Sequence, residues 1–343
     1  MKLFLIRLLI LLLLMGTGSF LPSAFSKTLQ KPVVFIDTDI GSDVDDALAL
    51  LTLLGSQKVE VIGISTVNSN TQKRAAVALR LLELAGHPDV PVAAGIGSTL
   101  LRQKQPRNWE KQLSQHLDHP PVRKPSAMHG VDLMIQTVHQ HPGLTVIALG
   151  PLTNIAVAII KDPTITPKIG KLIIVGGAIA LPAYQQHGTI TVGYKSEYNL
   201  NSDLDAARLV FDAGIPIVMS GLSPALQVTV GTEDVKSWQQ LNTPVAVWVS
   251  NRVTERLTSH HATETHLGDV VGAMASYDSQ SVRTKKLPLH LEVWGDTLRT
   301  VIDSTGTGTP VEVVLDVNQD QFYDNFHQAM ATVLHGKKTQ SRE

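Results

Sequence analysis

The sequence predicts an α/β protein with a single domain, in which helices flank a central, mostly parallel sheet. Short apolar runs alternate with longer stretches whose apolar residues recur at helical spacing. The short runs close on glycine, acidic or other turn-forming residues, as strand ends do. Alternation of this kind is typical of a parallel sheet covered on both faces, and ligands bind at the carboxyl ends of its strands.

The first half of the chain contains two predicted strand–helix pairs. Residues 33–36 form a strand, because the run is short, apolar and followed by acidic turn residues, and residues 44–54 form a helix that stops at a glycine. Residues 59–66 are a β-branched strand, and residues 73–85 a second helix. The polar segment at about 100–124 is rich in Pro, Gln and His, which predicts a surface excursion.

The second half repeats this alternation and ends on a helix. The predicted strands are residues 144–149, 172–175, 215–219, 289–293 and 311–315. The predicted helices are residues 153–160, 204–213 and about 321–334. No linker divides this pattern, so residues 27–343 are predicted to form one domain.

Composition excludes several classes of protein. Of 343 residues 43% are hydrophobic, which is enough for a core and argues against disorder. The formal net charge of -1 gives no basic field for nucleic acid. Because the chain has no cysteine, disulfides, thiolate metal sites and cysteine nucleophiles are excluded.

The amino terminus predicts a signal peptide over residues 1–26. Lys2 and Arg7 flank the apolar residues 8–15, and Ala24 and Ser26 are the small residues that a signal peptidase reads. A retained membrane anchor is the alternative, but a span needs about 20 apolar residues and this run is shorter. The prediction is therefore export to the periplasm or the extracellular space, without stable membrane association after cleavage.

The most informative stretch is residues 37–46, which contains five aspartates at a strand end that enters a helix. Helix capping accounts for one or two of them. The remaining carboxylates would repel one another without a compensating charge. A hard divalent cation with oxygen ligands explains the cluster better, although the loop is not an EF-hand.

The acidic loop and several later segments resemble the inosine-uridine-preferring nucleoside hydrolase family, over about residues 32–335. The segments, in chain order, are residues 37–50 (DTDIGSDVDDALAL), 66–70 (TVNSN), 81–86 (LLELAG), 90–95 (VPVAAG), 148–156 (ALGPLTNIA) and 197–199 (EYN). The resemblance implies a Rossmann-like nucleoside hydrolase fold. It also implies a homo-dimer or homo-tetramer, and a small nucleoside or ribosyl substrate.

The resemblance further implies a calcium ion, held by the side chains of Asp39, Asp46 and Asp269 and by the backbone carbonyl of Leu149. Spacing alone favours a helix N-cap for Asp269. Asp45 matches the general base, which activates a water held by the calcium. The transition state at the anomeric carbon resembles an oxocarbenium ion, so a positioned water suffices as nucleophile.

Five residues match substrate-binding positions of the family: Asn70, His129, Thr191, Glu197 and Asn199. Asn70, Glu197 and Asn199 are expected to bind the ribose hydroxyls, although asparagines also occur in turns for local reasons. His129 is an active-site residue or a loop-packing contact. Thr191 stands where the family more often has an asparagine, and it lacks the reach of an amide.

A second departure concerns the leaving base. Several family members have a histidine directly before the distal aspartate, but this chain has Gly268 there. None of the nearby histidines, His260, His261 and His266, has the matching place. Help for the leaving group is then expected from a tyrosine, a tryptophan, another histidine or stacking on the base, and the aromatic candidates include Trp248 and Tyr277.

Three functions are consistent with these residues. The first is hydrolysis of ribonucleosides at the N-glycosidic bond. The second is N-ribohydrolysis of a non-nucleoside substrate, and the third is calcium-dependent binding of a nucleoside or sugar without catalysis. Retention of Asp45 argues against the third. A dehalogenase-type phosphatase also begins with Asp-x-Asp after a strand, but the downstream segments do not fit it.

Overall fold

A nine-stranded sheet forms the centre of the fold in the computed structural model, which describes residues 31–101, 107–117, 119–179, 197–294 and 297–336. Its order is β10-β9-β11-β6-β5-β4-β1-β2-β3, and β7 and β8 form a separate pair. The strands are β1 Val33–Thr38, β2 Glu60–Thr66, β3 Val92–Ala94, β4 Thr145–Ala148, β5 Lys171–Val175, β6 Ile217–Ser220, β7 Thr229–Gly231, β8 Glu264–His266, β9 Val282–Trp294, β10 Thr297–Ile302 and β11 Thr309–Val317.

The sheet is mostly parallel, as the sequence predicts. Strands β3, β2, β1, β4, β5, β6 and β11 pair in parallel, each with its neighbour. Strands β9 and β10 add an antiparallel edge. The parallel strands require crossover connections, which the helices supply.

Twelve α-helices and one 3₁₀ helix, Pro163–Lys168, lie in the described part of the chain. The α-helices are α1 Asp45–Ser56, α2 Thr71–Leu84, α3 Glu110–His116, α4 Gly130–Gln140, α5 Thr153–Lys161, α6 Tyr198–Ser202, α7 Leu204–Phe211, α8 Leu222–Ala225, α9 Thr232–Gln239, α10 Pro244–Ser259, α11 Gly268–Ala275 and α12 Gln319–Leu334.

Alternate residues of the central strands pack into two separate cores. In β1, Val34 and Ile36 belong to one apolar cluster, whereas Phe35 belongs to the other. This follows from the two-residue period of a strand, whose side chains point to opposite faces. Helices α1, α2, α10, α11 and α12 contribute to the first cluster, and α4, α5 and α7 to the second. Both faces of the sheet are therefore covered.

The predicted surface excursion at residues 100–124 is wrong in part. It contains α3, whose Leu113 is fully buried in the first core. The strand predicted at 289–293 is the end of the much longer β9. The described residues from Pro32 onward form one compact unit, and none of their helices has the length and apolarity needed to cross a membrane. The predicted signal peptide and Thr191 lie outside the described residues.

Candidate active site

A cavity of about 360 Å³ opens at the carboxyl edge of the parallel sheet. Residues directly after four strands line it: Asp39 after β1, Leu149 after β4, Gly176 after β5 and Gly221 after β6. This is the position that open α/β sheets favour for ligands, and the volume lies in the range of small-molecule sites, about 300–1,000 Å³.

Three carboxylates lie close together in the lining of this cavity. Asp45 and Asp46 open α1 and Asp269 lies in the first turn of α11, and one oxygen of each lies within 4.8 Å of the others. The side chains of Asp46 and Asp269 are buried, and Asp45 is half-buried. The Thr38 hydroxyl donates a hydrogen bond to Asp46 and fixes that carboxylate at the end of β1.

Two glycines allow the acidic loop to pack closely. Gly41 has a φ of +95°, in the left-handed region that favours glycine, and a side chain there would collide with Leu113 of α3 at 2.7 Å. A Cβ on Gly150 would lie 3.0 Å from the backbone nitrogen of Asp39. The loop after β4 therefore approaches the loop after β1 closely because residue 150 lacks a side chain.

Arg74, a fully buried side chain of α2, holds the backbone of this loop. Its Nη1 donates to the carbonyls of Asp39 and Ile40, the latter at 2.9 Å, and its Nε donates to the Asn68 carbonyl at 2.7 Å. The guanidinium thus joins the loop after β1 to the loop after β2. It also opposes the effect of burial on the pKa of Asp39, which remains raised.

Burial and mutual repulsion raise the pKa values of the clustered carboxyls. Burial raises the pKa of Asp45 to about 8, with Asp43 and Asp39 adding to the effect. The pKa values of Asp46 and Asp269 are also raised well above normal, first by burial and then by the neighbouring aspartates. The protein alone does not balance the negative charge of these carboxylates, and pKa values raised in this way are typical of a functional site.

Asp37 and Asp43 contribute to the surroundings of the site. Asp37 is fully buried below the cavity and accepts hydrogen bonds from Ser65 at 2.6 Å and Asn154 at 2.7 Å, while burial raises its pKa to about 7. Asp43 forms an ion pair with Arg256 of α10 at 2.6 Å. Both carboxylates are therefore bound by partners within the protein.

The donor set of the cluster fits a hard divalent cation. Asp39, Asp45, Asp46 and Asp269 all line the cavity, and every group is an oxygen donor. The Leu149 carbonyl lies there as well, where it accepts a hydrogen bond from the Asn199 side chain at 2.9 Å. Oxygen ligands at such density suit calcium or magnesium, and a cation would supply the missing positive charge.

Glu197 and Asn199 form a rigid polar wall of the same cavity. The carboxylate of Glu197 caps α6 by accepting from the backbone N–H groups of Asn199 and Leu200, and it also accepts from Gly177 N at 2.9 Å. Burial raises its pKa to about 7. The Asn199 amide donates to the carbonyls after β4 and at the end of β5, which fixes its orientation.

Two predicted substrate-binding residues lie apart from the cavity lining. Asn70 caps α2, accepting from Lys73 N at 3.1 Å and donating to Glu110 at 2.9 Å. His129 is exposed and caps α4, where its Nδ1 accepts from Val131 N at 3.3 Å. The structure thus brings together Asp39, Asp45, Asp46, Leu149, Glu197, Asn199 and Asp269, but not Asn70 or His129.

Several residues near the site are not among the site residues predicted from the sequence. Asn68, the second residue after β2, donates to Asp39 at 3.3 Å and to the Tyr198 hydroxyl at 3.1 Å, and a polar residue so near a strand end was a usable signal. Tyr198 itself lines the cavity, with Trp109 in edge contact at 6.3 Å and the Arg107 guanidinium over its ring at 5.1 Å. Trp109 and Arg107 belong to the segment predicted as a surface excursion.

Trp248 and Tyr277, the sequence candidates for assisting the leaving group, do not line the cavity. Trp248 is buried in the first core and donates to the His116 carbonyl at 3.2 Å. Tyr277 packs beneath the Lys58 ammonium group. His266 does line the cavity, together with the apolar residues Leu222, Ala225 and Leu226 on and after α8.

Comparison with known proteins identifies a family. The model of the family described as inosine-uridine preferring nucleoside hydrolase matches residues 34–324. The chain is 35% identical over 213 residues to probable uridine nucleosidase 2 of Arabidopsis thaliana, covering 60% of this chain and 63% of the relative. It is 31% identical over 223 residues to the pyrimidine-specific ribonucleoside hydrolase RihA of Klebsiella pneumoniae, covering 63% of this chain and 68% of the relative.

The fold is also found among solved structures. A purine-preferring ribonucleoside hydrolase from Gardnerella vaginalis superposes with a TM-score of 0.75 at 25% identity, covering 88% of this chain and 99% of that one. The match to the curated plant relative spans less than two thirds of its length, 63%. These names describe the relatives, among which both pyrimidine and purine preferences occur.

Proposed function

Because the chain belongs to the inosine-uridine preferring nucleoside hydrolase family, whose members cleave N-glycosyl bonds, we propose that it hydrolyses ribonucleosides to a free base and ribose. One observation carries the proposal. A single cavity combines the Asp45, Asp46 and Asp269 carboxylates with the polar wall of Glu197 and Asn199. Carboxylates for water activation and polar groups for a diol are what cleavage at an anomeric carbon requires.

Calcium is the proposed cofactor, to be held by Asp39, Asp46, Asp269 and the Leu149 carbonyl. All four groups line the cavity and offer oxygen atoms, the ligands that calcium prefers. When bound, the ion supplies positive charge that polarises water and orients the ribose hydroxyls. Burial beside other aspartates raises the pKa values of Asp46 and Asp269 in the protein alone. A bound cation would favour the charged form of both carboxyls, which supports this assignment.

Asp45 is the proposed general base. Its half-buried carboxylate lies in the cavity beside Asp46 and Asp269, where it can accept a proton from the attacking water. Glu197 and Asn199 hold the ribose. Glu197 is fixed by three backbone N–H groups, and the Asn199 amide donates to two carbonyls, so both side chains are preorganised for the sugar.

The test is ribose and base release from a panel of purine and pyrimidine ribonucleosides with calcium. We expect release that a chelator abolishes, and an Asp45→Asn variant whose kcat is lower by about 100-fold or more, the usual contribution of a general base. Asp132→Asn is the matched control, since Asp132 lies on α4, pairs with Lys161 and does not line the cavity. Its rates should equal those of the wild type.

Other outcomes of the panel point to other functions. Calcium-dependent binding of nucleoside or ribose without release would indicate a binding protein. Neither binding nor release would indicate a different N-ribosyl substrate. Release that persists in the Asp45→Asn variant would contradict the role of that carboxylate.

We further propose that residues 1–26 direct export and are then removed, and that the mature protein forms a homo-dimer or homo-tetramer. The charged and apolar pattern of the amino terminus supports export. Amino-terminal sequencing of protein recovered outside the cytoplasm tests the cleavage. Light scattering of that protein tests the oligomeric state.

A further inference from the structure

The cavity has a polar end and an apolar wall. The polar end contains the acidic cluster, the Leu149 carbonyl, Glu197 and Asn199. The apolar wall is formed by Leu222, Ala225 and Leu226, and Leu226 is 42% exposed. A flat aromatic base has large apolar faces, so this wall suits the leaving base while the polar end suits the sugar.

His266 is the only imidazole among the described residues that line this cavity. It ends β8, where Thr265 and Leu267 on either side are buried and His266 is exposed. Because successive side chains of a strand point to opposite faces, burial of both neighbours directs the imidazole away from the core. On that side His266 forms part of the cavity lining. The backbone is anchored by β7 pairing and by the bond from Leu267 N to Val228 O at 3.1 Å.

Gly268 lies close to both the apolar wall and Asp45. A Cβ at residue 268 would lie 3.3 Å from the Cβ of Ala225 and 3.8 Å from Oδ2 of Asp45. Any side chain at this position would therefore enter the region between the apolar wall and the general base. Glycine at this position keeps side-chain atoms out of that region.

We propose that His266 protonates the departing nucleobase, a role that rests on the proposed function. As the bond from C1′ to the base nitrogen breaks, its electron pair goes to the base, and the imidazolium of His266 gives its proton to the base. The water oxygen bonds to C1′ and its proton passes to Asp45. Solvent then reprotonates His266 and deprotonates Asp45, and the products are neutral base and ribose.

Two other donors that line the cavity, Tyr198 and Arg107, are less suited to this step. The Tyr198 hydroxyl accepts a hydrogen bond from Asn68, which also donates to Asp39, and so lies at the polar end. Arg107 lies over the Tyr198 ring, and a guanidinium does not release its proton in proteins. Imidazole is the side chain that exchanges a proton most readily near neutral pH.

The test compares two substrates whose leaving groups differ in their need for a proton. Uridine and inosine require protonation of the base, whereas 4-nitrophenyl β-D-ribofuranoside releases a phenolate that departs unaided. For His266→Asn in the full-length protein with calcium, we expect kcat on the nucleosides to fall by about 100-fold, the low end of general acid catalysis. The rate on the nitrophenyl riboside should stay within about threefold of the wild type.

His261→Asn is the matched control, because His261 is exposed, does not line the cavity, and has a φ of +51° that asparagine tolerates. It should leave both rates unchanged. An equal fall on both substrates in His266→Asn would overturn the proposal, since it would indicate a positional role. An unchanged nucleoside rate would overturn it too. A wild-type protein that cleaves neither substrate would instead overturn the proposed function, and the acid role with it.

Discussion

Asn68 and Asn70 are two positions apart but occupy different environments. Asn68 adopts a left-handed φ of +70°, and its amide bonds to Asp39 and to Tyr198 at the cavity. Asn70 begins α2 and bonds to Lys73 N and to Glu110, away from the lining residues. The resemblance to the family selects Asn70 for ribose binding, whereas Asn68 is the asparagine whose amide bonds to two residues of the cavity lining, Asp39 and Tyr198.

Substitution of the two asparagines should separate activity from stability. Asn68→Gly removes the amide without straining the left-handed backbone, and we expect kcat/KM on the preferred nucleoside to fall about tenfold, the equivalent of one well-placed hydrogen bond. Asn70→Ala removes the cap of α2, which should lower the free energy of unfolding by about 1 kcal/mol and leave kcat/KM within about threefold. Steady-state kinetics and thermal unfolding of both variants measure the two effects.

Each variant serves as the control for the other. A larger loss of kcat/KM in Asn70→Ala than in Asn68→Gly would show that Asn70 reaches the substrate, as the resemblance implies. Equal unfolding midpoints for Asn70→Ala and the wild type would show that the Asn70 side chain does not stabilise α2 as its N-cap.

The sequence identified the acidic residues of the site better than its neutral ones. Five aspartates in ten residues need an explanation whatever the fold is, and Asp39, Asp45 and Asp46 do line the cavity. Tyr198, Trp109 and His266 belong to segments far apart in the sequence, and they line one cavity only through contacts between those segments. Such contacts leave no periodic signal, so a structure is needed to find them.

At the scale of elements, the predictions succeeded where apolar runs are bounded by turn residues. Strands β1, β2, β4, β5 and β6 lie close to their predicted positions, because a strand buried on both faces is continuously apolar. The short β7 and β8 were missed, since three residues carry little pattern. Helix α3 was missed because a single fully buried leucine, Leu113, anchors an otherwise polar segment.

Helix α1 carries Asp45 and Asp46 at its start, and its other end contacts α12 very closely. A Cβ on Gly55 would lie 2.0 Å from the carbonyl oxygen of Ala329, far inside any real contact. In an exposed helix, glycine to alanine gains up to about 1 kcal/mol. In Gly55→Ala the clash with backbone should exceed that gain, and we expect a net loss of about 1–3 kcal/mol, the usual effect of overpacking.

Thermal unfolding of Gly55→Ala measures this loss, and Ser237→Ala, an exposed position of α9, is the control. The midpoint should fall by several degrees in the first variant and stay unchanged in the second. A midpoint equal to or above that of the wild type would show that α1 and α12 lie further apart than described.

At the scale of the whole molecule, the chain is nearly neutral, but several buried carboxyl groups lie at one edge of its sheet. The formal net charge is -1, yet burial raises the pKa values of Asp37 and Glu197 to about 7 and that of Asp45 to about 8. Without a cation, the folded protein therefore keeps protons that the unfolded chain releases near pH 4. Stability depends on pH wherever the two states bind different numbers of protons.

The sign of this dependence follows directly. Between about pH 4 and pH 8 the folded state binds more protons than the unfolded state, so the free energy of unfolding falls as pH rises through this range. We expect the unfolding midpoint of chelator-treated protein to be at least about 5 °C lower at pH 8 than at pH 5. Thermal unfolding across this range measures the difference.

Calcium should reverse much of that loss, because it binds the deprotonated carboxylates of the folded state only. A ligand at about 100 times its Kd stabilises the folded state by about 2.7 kcal/mol. Since the protons must leave before the ion binds, the gain in stability should be larger at pH 8 than at pH 5.

In Asp269→Asn one of the clustered carboxylates is replaced by a neutral amide. The metal-free variant should therefore lose less stability as pH rises, and calcium should raise its unfolding midpoint less than that of the wild type. A calcium gain in Asp269→Asn equal to that of the wild type would place the cation away from this cluster.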